Sequence, residues 1–426
     1  MGHGALAAGP DLLTAAMAAL VIVAIAGALY THRFGLSHLL VFMAVGMLTG
    51  VDGPLGLPFD NHKLAVTVGN LAVALILFDG GLRTRWPEVR RGLLPAALLA
   101  TLGVAATACI VAGIAHLALD VSWSEGLLLG AAVSSTDASA VFAQFTASQL
   151  KLQPRIAATI EVESAMNDPM AVVLTLGLIA WLSPFGQANE PAADGMATLL
   201  RLLAEQLGYG LLTGVGGGLL AAFWVRRLPV TDDHDGLAAL LMAALGLLMF
   251  AGTTLLGGSG FLAVYAAGLL VRHHAGRVAQ LALPGLNGYT WLAEAVLFLL
   301  LGLLVTPHEA WRLAGPALAV ALGLMLVARP AAVLLCLAPL GFGWRQQAFV
   351  AWSGLRGAVP IVLATYPVLA GMPDGWRFFD VAFVVVLLSL LIQGPTLAPL
   401  ARRLGVEHAD DKDQEQSHRG TETQRE

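Results

Sequence analysis

One polar cluster, with the sequence ESAMNDP, stands inside an otherwise apolar stretch. At about 100° per residue in a helix, Glu163 and Asn167 stack on one face. Ser164 and Asp168 form a second stack beside them, and Pro169 removes one backbone donor and so frees a carbonyl. A carboxylate, a hydroxyl and a spare carbonyl predict a site for a small hard cation. The alternative interpretation, a polar set that only joins helices, is common for isolated Asn or Ser and rare for Asp.

A second cluster, SSTDAS at residues 134–139, has polar side chains at five of its six positions. Such a run is costly in an ordinary transmembrane helix and fits an unwound stretch whose backbone lines a cavity. Asp137 would then face the positive ends of half-helices. The alternative is a long loop, but each apolar flank is too short to span a membrane alone. We therefore predict a broken helix.

A third cluster, SGLRGAVP at residues 353–360, places helix-breaking residues around Arg356. An arginine cannot lose its proton and therefore needs an acidic partner. Rise arithmetic puts Arg356 and Glu163 at roughly 15 and 11 Å from the same side of the membrane, which predicts a structural ion pair. A pair between Arg329 and Glu294 is a further hypothesis.

Other acids in apolar segments give weaker indications. Asp79 lies four residues before Arg83 and is interpreted as a helix end or as an accessory residue. Glu161 and Asp380 lie near the ends of predicted spans, where they can reach the membrane interface. Their roles stay open, as do those of Glu294 and Arg329.

Composition shows what surrounds these clusters. The 426 residues are 57% hydrophobic and 12% charged, with a mean hydropathy of +0.77. Soluble proteins carry about 25% charged residues, so a soluble enzyme is excluded. The net charge of −5 gives no basic surface for nucleic acid. Cys109 and Cys336 lie in apolar runs and are predicted to be small buried hydrophobes. No cofactor is expected, and no metal other than the cation predicted at the first cluster.

At about 20 apolar residues per helix, the sequence divides into transmembrane spans. The thirteen predicted spans are 12–31, 35–51, 64–82, 92–119, 123–147, 157–183, 199–225, 235–256, 259–271, 286–306, 313–338, 346–370 and 378–401. The first lacks a basic segment before it and is predicted to be a retained helix, not a cleaved signal peptide.

Basic residues alternate between loops in a way that predicts orientation. One set of loops, together with the tail, contains Arg33, Arg83, Arg85, Arg90, Arg91, Lys151, Arg155, Arg226, Arg227, Arg272, Arg277, Arg345, Arg402, Arg403, Lys412, Arg419 and Arg425. The intervening loops contain only Lys63, Arg201, Arg312 and Arg377. We therefore expect a multi-pass protein of the cell (inner) membrane, with its N-terminus outside and its C-terminus in the cytoplasm.

The two halves of the chain show a weak internal similarity. LAVALILFDGGL at 71–82 aligns with LAEAVLFLLLGL at 292–303, an offset of 221 residues. The same offset carries the first span onto the eighth and the break at 134–137 into the one at 354–360. This predicts two inverted six-span repeats, 11–183 and 233–404, joined by a linker helix at 199–225. Chance similarity among apolar segments is the alternative. The polar residues 405–426 are predicted to form a disordered cytoplasmic tail.

Four segments together resemble the monovalent cation:proton antiporter superfamily, in its NhaP-type branch. They read LFDGGL at 77–82, SSTDASAVF at 134–142, ESAMNDP at 163–169 and GLRGAVP at 354–360. Their form is most similar to bacterial potassium/proton antiporters, and the resemblance covers about residues 11–404. It implies an all-α polytopic membrane protein with the NhaA/NhaP-like fold, in which broken fifth and twelfth spans cross. It also implies a homodimer.

The resemblance also assigns roles to particular residues. It puts the cation-binding carboxylate on Asp168, with Ser164 and the Thr136 backbone as further ligands and Asn167 beside the site. It also pairs Glu163 with Arg356. From its place in the SSTDAS break, we add Asp137 to the predicted cation- and proton-binding residues. Asp79 stands where the family often has Glu.

These residues predict a secondary transporter in pH and cation homeostasis, not an enzyme. One carboxylate holds either a proton or a cation, and burial disfavours its charged form, so competition at Asp168 couples the two fluxes with alternating access. Asn167, in place of a second Asp, predicts electroneutral 1:1 exchange of potassium or sodium, and the same oxygen ligands serve both. An organic-ion transporter and a cation channel are the alternatives; an intramembrane aspartic protease lacks its usual sequence contexts.

Overall fold

The computed structural model describes residues 19, 21–27, 37–56, 59, 61–182 and 192–408. Within these ranges the chain is helical apart from short connections. Extended pairing among them is limited to one isolated antiparallel bridge between Leu152 and Glu407. The all-helical fold predicted from the sequence is confirmed.

The α-helices follow one another with short connections. In chain order they are α1 (His38–Thr49), α2 (His62–Arg83), α3 (Trp86–Leu98), α4 (Val104–Leu119), α5 (Trp123–Ala132), α6 (Ala138–Ala147), α7 (Pro154–Leu182), α8 (Ala192–Val225), α9 (Asp235–Leu255), α10 (Gly260–His274), α11 (Gly276–Leu304), α12 (Pro307–Arg312), α13 (Ala314–Gly323), α14 (Arg329–Leu337), α15 (Trp344–Trp352), α16 (Ala358–Leu369), α17 (Gly375–Leu388) and α18 (Gly394–Leu404). π-helical turns at Leu99–Gly103, Leu324–Ala328 and Ser389–Gln393 join α3 to α4, α13 to α14 and α17 to α18.

Helix lengths fit a bilayer. Of the helices in the described ranges, eight are long and apolar enough to cross a membrane, and α1 and α16 are shorter apolar helices. Each predicted span from residue 35 onward contains a helix, or a pair of helices, at the same place. The first predicted span, 12–31, lies largely outside the described residues, although 21–27 are helical. The count of thirteen therefore stays a prediction.

The helices pack as two groups. The first helix group consists of α1, α2 and α8–α11, and the second of α3–α7 and α13–α18. Contacts between the groups run mainly through α7 against α8 and α16 against α2. Each group takes helices from both halves of the chain, an arrangement that suits two intertwined repeats. The inverted repeats and their boundaries stay a prediction.

Within the first group, α1 and α11 touch through their backbones. A Cβ atom at Gly46 would overlap the Leu299 carbonyl, and one at Gly302 would overlap the Met43 carbonyl. Small residues permit this approach, and close packing holds helices together in lipid, where the hydrophobic effect between helices is lost.

The end of the chain corrects one expectation. Residues 405–408 were predicted to belong to a disordered tail, yet they pair with the segment after α6. The Gln153 N–H donates to the Val406 carbonyl at 3.0 Å, and the His408 N–H donates to the Lys151 carbonyl at 2.9 Å. Extended pairing, which composition does not reveal, orders these four residues. The rest of the predicted tail, 409–426, lies outside the described residues.

The α1–α11 contact gives a stability prediction. Gly46→Ala should lower the free energy of unfolding by about 1–3 kcal/mol, because the added methyl group pushes two packed backbones apart. Gly288→Ala on α11 is the matched control, since a Cβ atom there meets nothing within 4 Å. Thermal unfolding in detergent measures both. Equal melting temperatures for the two variants would contradict the packing described.

Candidate functional site

The two predicted helix breaks meet at the centre of the site. Residues 133–137 separate α5 from α6, and residues 353–357 separate α15 from α16, so both breaks are confirmed. The Asp137 N–H donates to the Leu355 carbonyl at 2.8 Å. A Cβ atom at Gly357 would overlap the Asp137 carboxylate, so only glycine allows this approach. Each break therefore supplies partners for backbone groups that the other exposes.

Asp137 caps the half-helix α6. Its Oδ1 accepts hydrogen bonds from the Ala140 N–H at 3.1 Å and from the Ser139 hydroxyl at 2.6 Å. A carboxylate at a helix N-terminus is stabilised by the helix dipole and by the unpaired N–H groups of the first turn. The expected position of Asp137, at the positive end of a half-helix, is confirmed.

Asp168, on α7, lies against the first break and is only 6% exposed. Its Oδ1 accepts a hydrogen bond from the Ser135 hydroxyl. The Ser164 hydroxyl, one turn earlier on the same face, donates to the Thr136 carbonyl at 2.8 Å and accepts from the Ala138 N–H at 3.0 Å. The Asp168 carboxylate, the Ser164 hydroxyl and the Thr136 carbonyl, which the resemblance implies as ligands, thus belong to residues that line one cavity.

Asn167, the residue of α7 immediately before Asp168, contacts the same break. Its Nδ2 donates to the Thr136 hydroxyl at 2.6 Å, and its side chain is fully buried. Asn167 therefore holds the break against α7. Ser135 is a site residue that the sequence interpretation did not select, although it belongs to the SSTDAS cluster from which Thr136 and Asp137 were chosen.

A cavity of about 790 Å³ lies between the two helix groups. The second group contributes Ser135, Asp137, Ser164 and Asp168 to its wall. Exposed residues in its wall include Arg83, Gln149 and Asn287. Arg83 belongs to the predicted set of basic loops, so exposed residues on that side share the cavity with Asp168.

Two acidic residues, Asp79 of the first helix group and Glu161 of the second, also line the cavity. Asp79 pairs with Arg83 at 2.7 Å, and the Arg83 guanidinium also donates to Asn287 at 3.2 Å. Glu161, which belongs to α7, accepts from the Thr84 hydroxyl at 2.7 Å. Asp79 is thus both near a helix end and in the same cavity as Asp168.

The predicted ion pair between Glu163 and Arg356 is wrong. Glu163 instead pairs with Arg329 of α14, whose guanidinium reaches the two carboxylate oxygens at 2.5 and 2.8 Å. Both side chains are almost fully buried. Helical rise gave only the depth of each residue and not the direction in which it points, and the break before Arg356 also interrupts the rise.

Arg356 finds backbone partners in place of a carboxylate. It is 2% exposed, and its Nη1 donates to the Ser134 carbonyl at 2.5 Å and to the Ser135 carbonyl at 2.7 Å. These carbonyls follow the C-terminal end of α5, where the helix dipole is negative. The guanidinium charge therefore compensates the negative dipole end of α5, and its hydrogen bonds connect the second break to the first.

The predicted pair between Arg329 and Glu294 is also wrong. Glu294 of α11 pairs with His38 of α1 at 3.2 Å, and the Trp291 ring lies over the His38 ring with a centroid distance of 4.2 Å. Both members of this pair line the cavity. His38 lies near the start of its predicted span, a position with no signal for a partner on α11. Asp380 is buried on α17 and does not line the cavity.

Comparison with known proteins agrees with this geometry. The family model described as sodium/hydrogen exchanger, transmembrane, matches residues 19–403. The K(+)/H(+) antiporter NhaP2 of Shewanella oneidensis is 44% identical over 378 residues, which are 88% of this chain and 64% of that protein. The K(+)/H(+) antiporter NhaP of Alkalimonas amylolytica is 44% identical over 391 residues, 91% of this chain and 66% of that protein. The chain thus spans just under two thirds of the length of these relatives.

More distant relatives share the same architecture. The Na(+)/H(+) antiporter ApNhaP of Aphanothece halophytica is 27% identical over 383 residues, 83% of this chain and 68% of that protein. The solved structure of the sodium proton antiporter MjNhaP1 from Methanocaldococcus jannaschii superposes with a TM-score of 0.76. That match has 24% identity and covers 92% of this chain and 99% of the other. It establishes the fold.

The Glu163–Arg329 pair carries a second prediction. Arg329→Ala should destabilise the protein by about 3–5 kcal/mol, because it leaves the Glu163 carboxylate buried without its partner. Arg201→Ala is the control: it removes an ion pair of 2.7 Å in which Arg201 is 80% exposed, and about 0–1 kcal/mol is expected.

A double-mutant cycle in detergent assigns the partner. Glu163→Ala combined with Arg329→Ala should cost far less than the sum of the two single changes. Additive losses for this pair, together with coupling between Glu163 and Arg356, would reinstate the pairing expected from the sequence.

Proposed function

The chain belongs to the sodium/hydrogen exchanger family and is a multi-pass membrane protein, and we propose that it exchanges a monovalent alkali cation for protons at Asp168. The observation that carries the proposal is the burial of Asp168 against two meeting helix breaks, in the wall of a cavity that exposed residues also line. Irregular backbone at membrane depth is tolerated only where it lines a cavity or is buried in protein. Discontinuous helices are typical of substrate and ion sites in secondary transporters.

The arrangement of oxygen atoms supports a cation site. The Ser164 hydroxyl bonds the Thr136 carbonyl, and Asp168 lines the same cavity as both residues. Carboxylate, hydroxyl and carbonyl oxygens are all hard ligands. The Asp168 carboxylate is charged when it holds neither proton nor cation, and a bare charge is costly to move through a membrane. Proton and cation compete for this one carboxylate, and that competition couples their opposite fluxes.

We propose alternating access between two sides of the membrane. Asn70 of α2 donates to the Tyr366 hydroxyl of α16 at 2.9 Å, which joins the two helix groups. Asn70 lies about 14 Å along α2 from Asp79, on the side away from Arg83. A continuous cation channel would need an open path past this contact. Arg83, an exposed residue of the cavity wall, belongs to the predicted basic loops, and this supports a cavity that faces the cytoplasm, with the N-terminus outside the inner membrane.

Potassium is the proposed cation, with sodium as the alternative. The relatives at 44% identity are named potassium/proton antiporters, whereas the one named a sodium/proton antiporter is 27% identical. We also propose a homodimer in the lipid bilayer, because only 28% and 33% of the residues in the apolar stretches of α8 and α9 are buried within the described chain. The role that follows is pH and cation homeostasis by a transporter, not an enzyme.

Asp168→Asn should abolish cation-dependent dissipation of a pH gradient in vesicles, because the amide binds neither a proton nor a cation in exchange. Asp235→Asn, at the exposed start of α9, is the control and should transport like the unchanged protein. Vesicles are tested with potassium and with sodium, and an organic cation is added as a third substrate. Exchange by Asp168→Asn would remove this residue from the mechanism.

The exchange should be electroneutral. Asn167 precedes Asp168 where a second acid would add another charge, so one proton replaces one cation in each cycle. In proteoliposomes, an imposed membrane potential should leave the initial rate of cation/proton exchange unchanged, whether potassium or sodium is the cation. A rate that follows the voltage would require a different stoichiometry.

A further inference from the structure

We propose that Ser389 and Gln393, on the π-helical turn between α17 and α18, are positioning residues for the Asp168 site. They fix the second helix break and, through Arg356, the groups that hold Asp168. This inference rests on the proposed function for its transport consequences, but its structural part can be tested without transport.

The contacts run from the π-helical turn into the break. The Arg356 N–H donates to the Ser389 hydroxyl oxygen at 3.0 Å, and the Ser389 hydroxyl donates to Gln393 Oε1 at 2.7 Å. Gln393 Nε2 donates to the Trp352 carbonyl at 3.0 Å. Ser389 is 0% and Gln393 1% exposed. Two side chains from one helix thus bind backbone groups on both sides of residues 353–355.

A broken helix needs such partners. Where α15 ends and α16 has not begun, backbone groups lose their helical hydrogen bonds, and in an apolar interior an unpaired group is costly. The Ser389 hydroxyl provides an acceptor for the Arg356 N–H, and the Gln393 amide provides a donor for the Trp352 carbonyl. The π-helical turn lies at Ser389–Gln393 itself, and such turns occur frequently at functional sites.

A second set of contacts connects Arg356 to the carboxylate. The Arg356 guanidinium holds the Ser134 and Ser135 carbonyls, and the Ser135 hydroxyl donates to Asp168. The hydrogen-bonded path from Gln393 to Asp168 therefore passes through Ser389, Arg356 and Ser135. A shift of Arg356 moves the carbonyls of the first break, next to the proposed ligand on Thr136.

This path predicts a particular kinetic effect. When Ser389 no longer holds the Arg356 backbone, the oxygen ligands around Asp168 spread, and the cation is bound less well. The concentration of cation at half-maximal rate, KM, therefore rises. A residue that only stabilised the fold would lower the amount of active protein and leave the KM of the folded fraction unchanged.

The test compares Ser389→Ala and Gln393→Met with Thr396→Ala. Thr396, about one turn beyond Gln393, is the control for loss of a hydroxyl in this region. Its hydroxyl accepts from the Trp352 indole at 2.9 Å and donates to the Ile392 and Gln393 carbonyls, and none of its hydrogen-bond partners belongs to residues 353–357. In vesicles, Ser389→Ala should raise the KM for potassium or sodium roughly fivefold, the effect of one lost hydrogen bond. Gln393→Met, which keeps the volume, should act in the same direction, and Thr396→Ala should not change KM.

Hydrogen exchange followed by mass spectrometry gives the independent readout on detergent-solubilised protein. Peptides that contain residues 353–357 should exchange faster in Ser389→Ala than in Thr396→Ala or the unchanged protein. Equal hydrogen-exchange rates at residues 353–357 in the two variants and the unchanged protein overturn the positioning role, whether or not the protein transports cations. Faster hydrogen exchange with an unchanged KM in an active variant also overturns it, since Ser389 and Gln393 would then only stabilise the fold. If the unchanged protein does not exchange cations for protons in vesicles, the proposed function is wrong. The hydrogen-exchange result still decides the structural part.

Discussion

An interrupted helix in an apolar environment must find partners for the backbone groups that it exposes, and the centre of this molecule is arranged around that constraint. The two breaks satisfy each other where the Asp137 N–H meets the Leu355 carbonyl. The remaining groups are satisfied by side chains: Asp137 caps α6, Arg356 holds carbonyls at the end of α5, and Ser389 holds the Arg356 backbone. Gly357 permits the approach because it has no Cβ atom, and a Cβ atom there would overlap the Asp137 side chain.

The same constraint creates the chemistry. Broken helices bring carbonyls, hydroxyls and helix ends to membrane depth, and α7 places Asp168 against them. The buried Glu163–Arg329 pair neutralises itself nearby, and Arg356 is matched by the negative end of a half-helix. Asp168 is then left with a hydroxyl as its hydrogen-bond partner and no cationic side chain bound to it among the described contacts. A proton or a metal cation is the natural counter-charge for such a carboxylate, and this is the physical basis of the proposed exchange.

The sequence predicted the parts of the fold that depend on local pattern. Apolar length located the helices from residue 35 onward, and clustered polar and helix-breaking residues located both breaks. Spacing on one helix face put Ser164 beside Asp168, as observed. Pairings between distant segments were predicted wrongly, because helical rise gives depth but not direction. Arg329 takes the Glu163 partner expected for Arg356, and Arg356 binds backbone carbonyls. The His38–Glu294 pair depends on the packing of α1 on α11, for which a single sequence carries no signal.

Proton release on cation binding tests the central claim most directly. In weakly buffered detergent solution near neutral pH, adding potassium or sodium to the purified protein should release protons in proportion to the cation bound, up to one for each cation. The release should vanish in Asp168→Asn and persist in Asp235→Asn. Cation binding without proton release, or release that survives in Asp168→Asn, would contradict competition at this carboxylate.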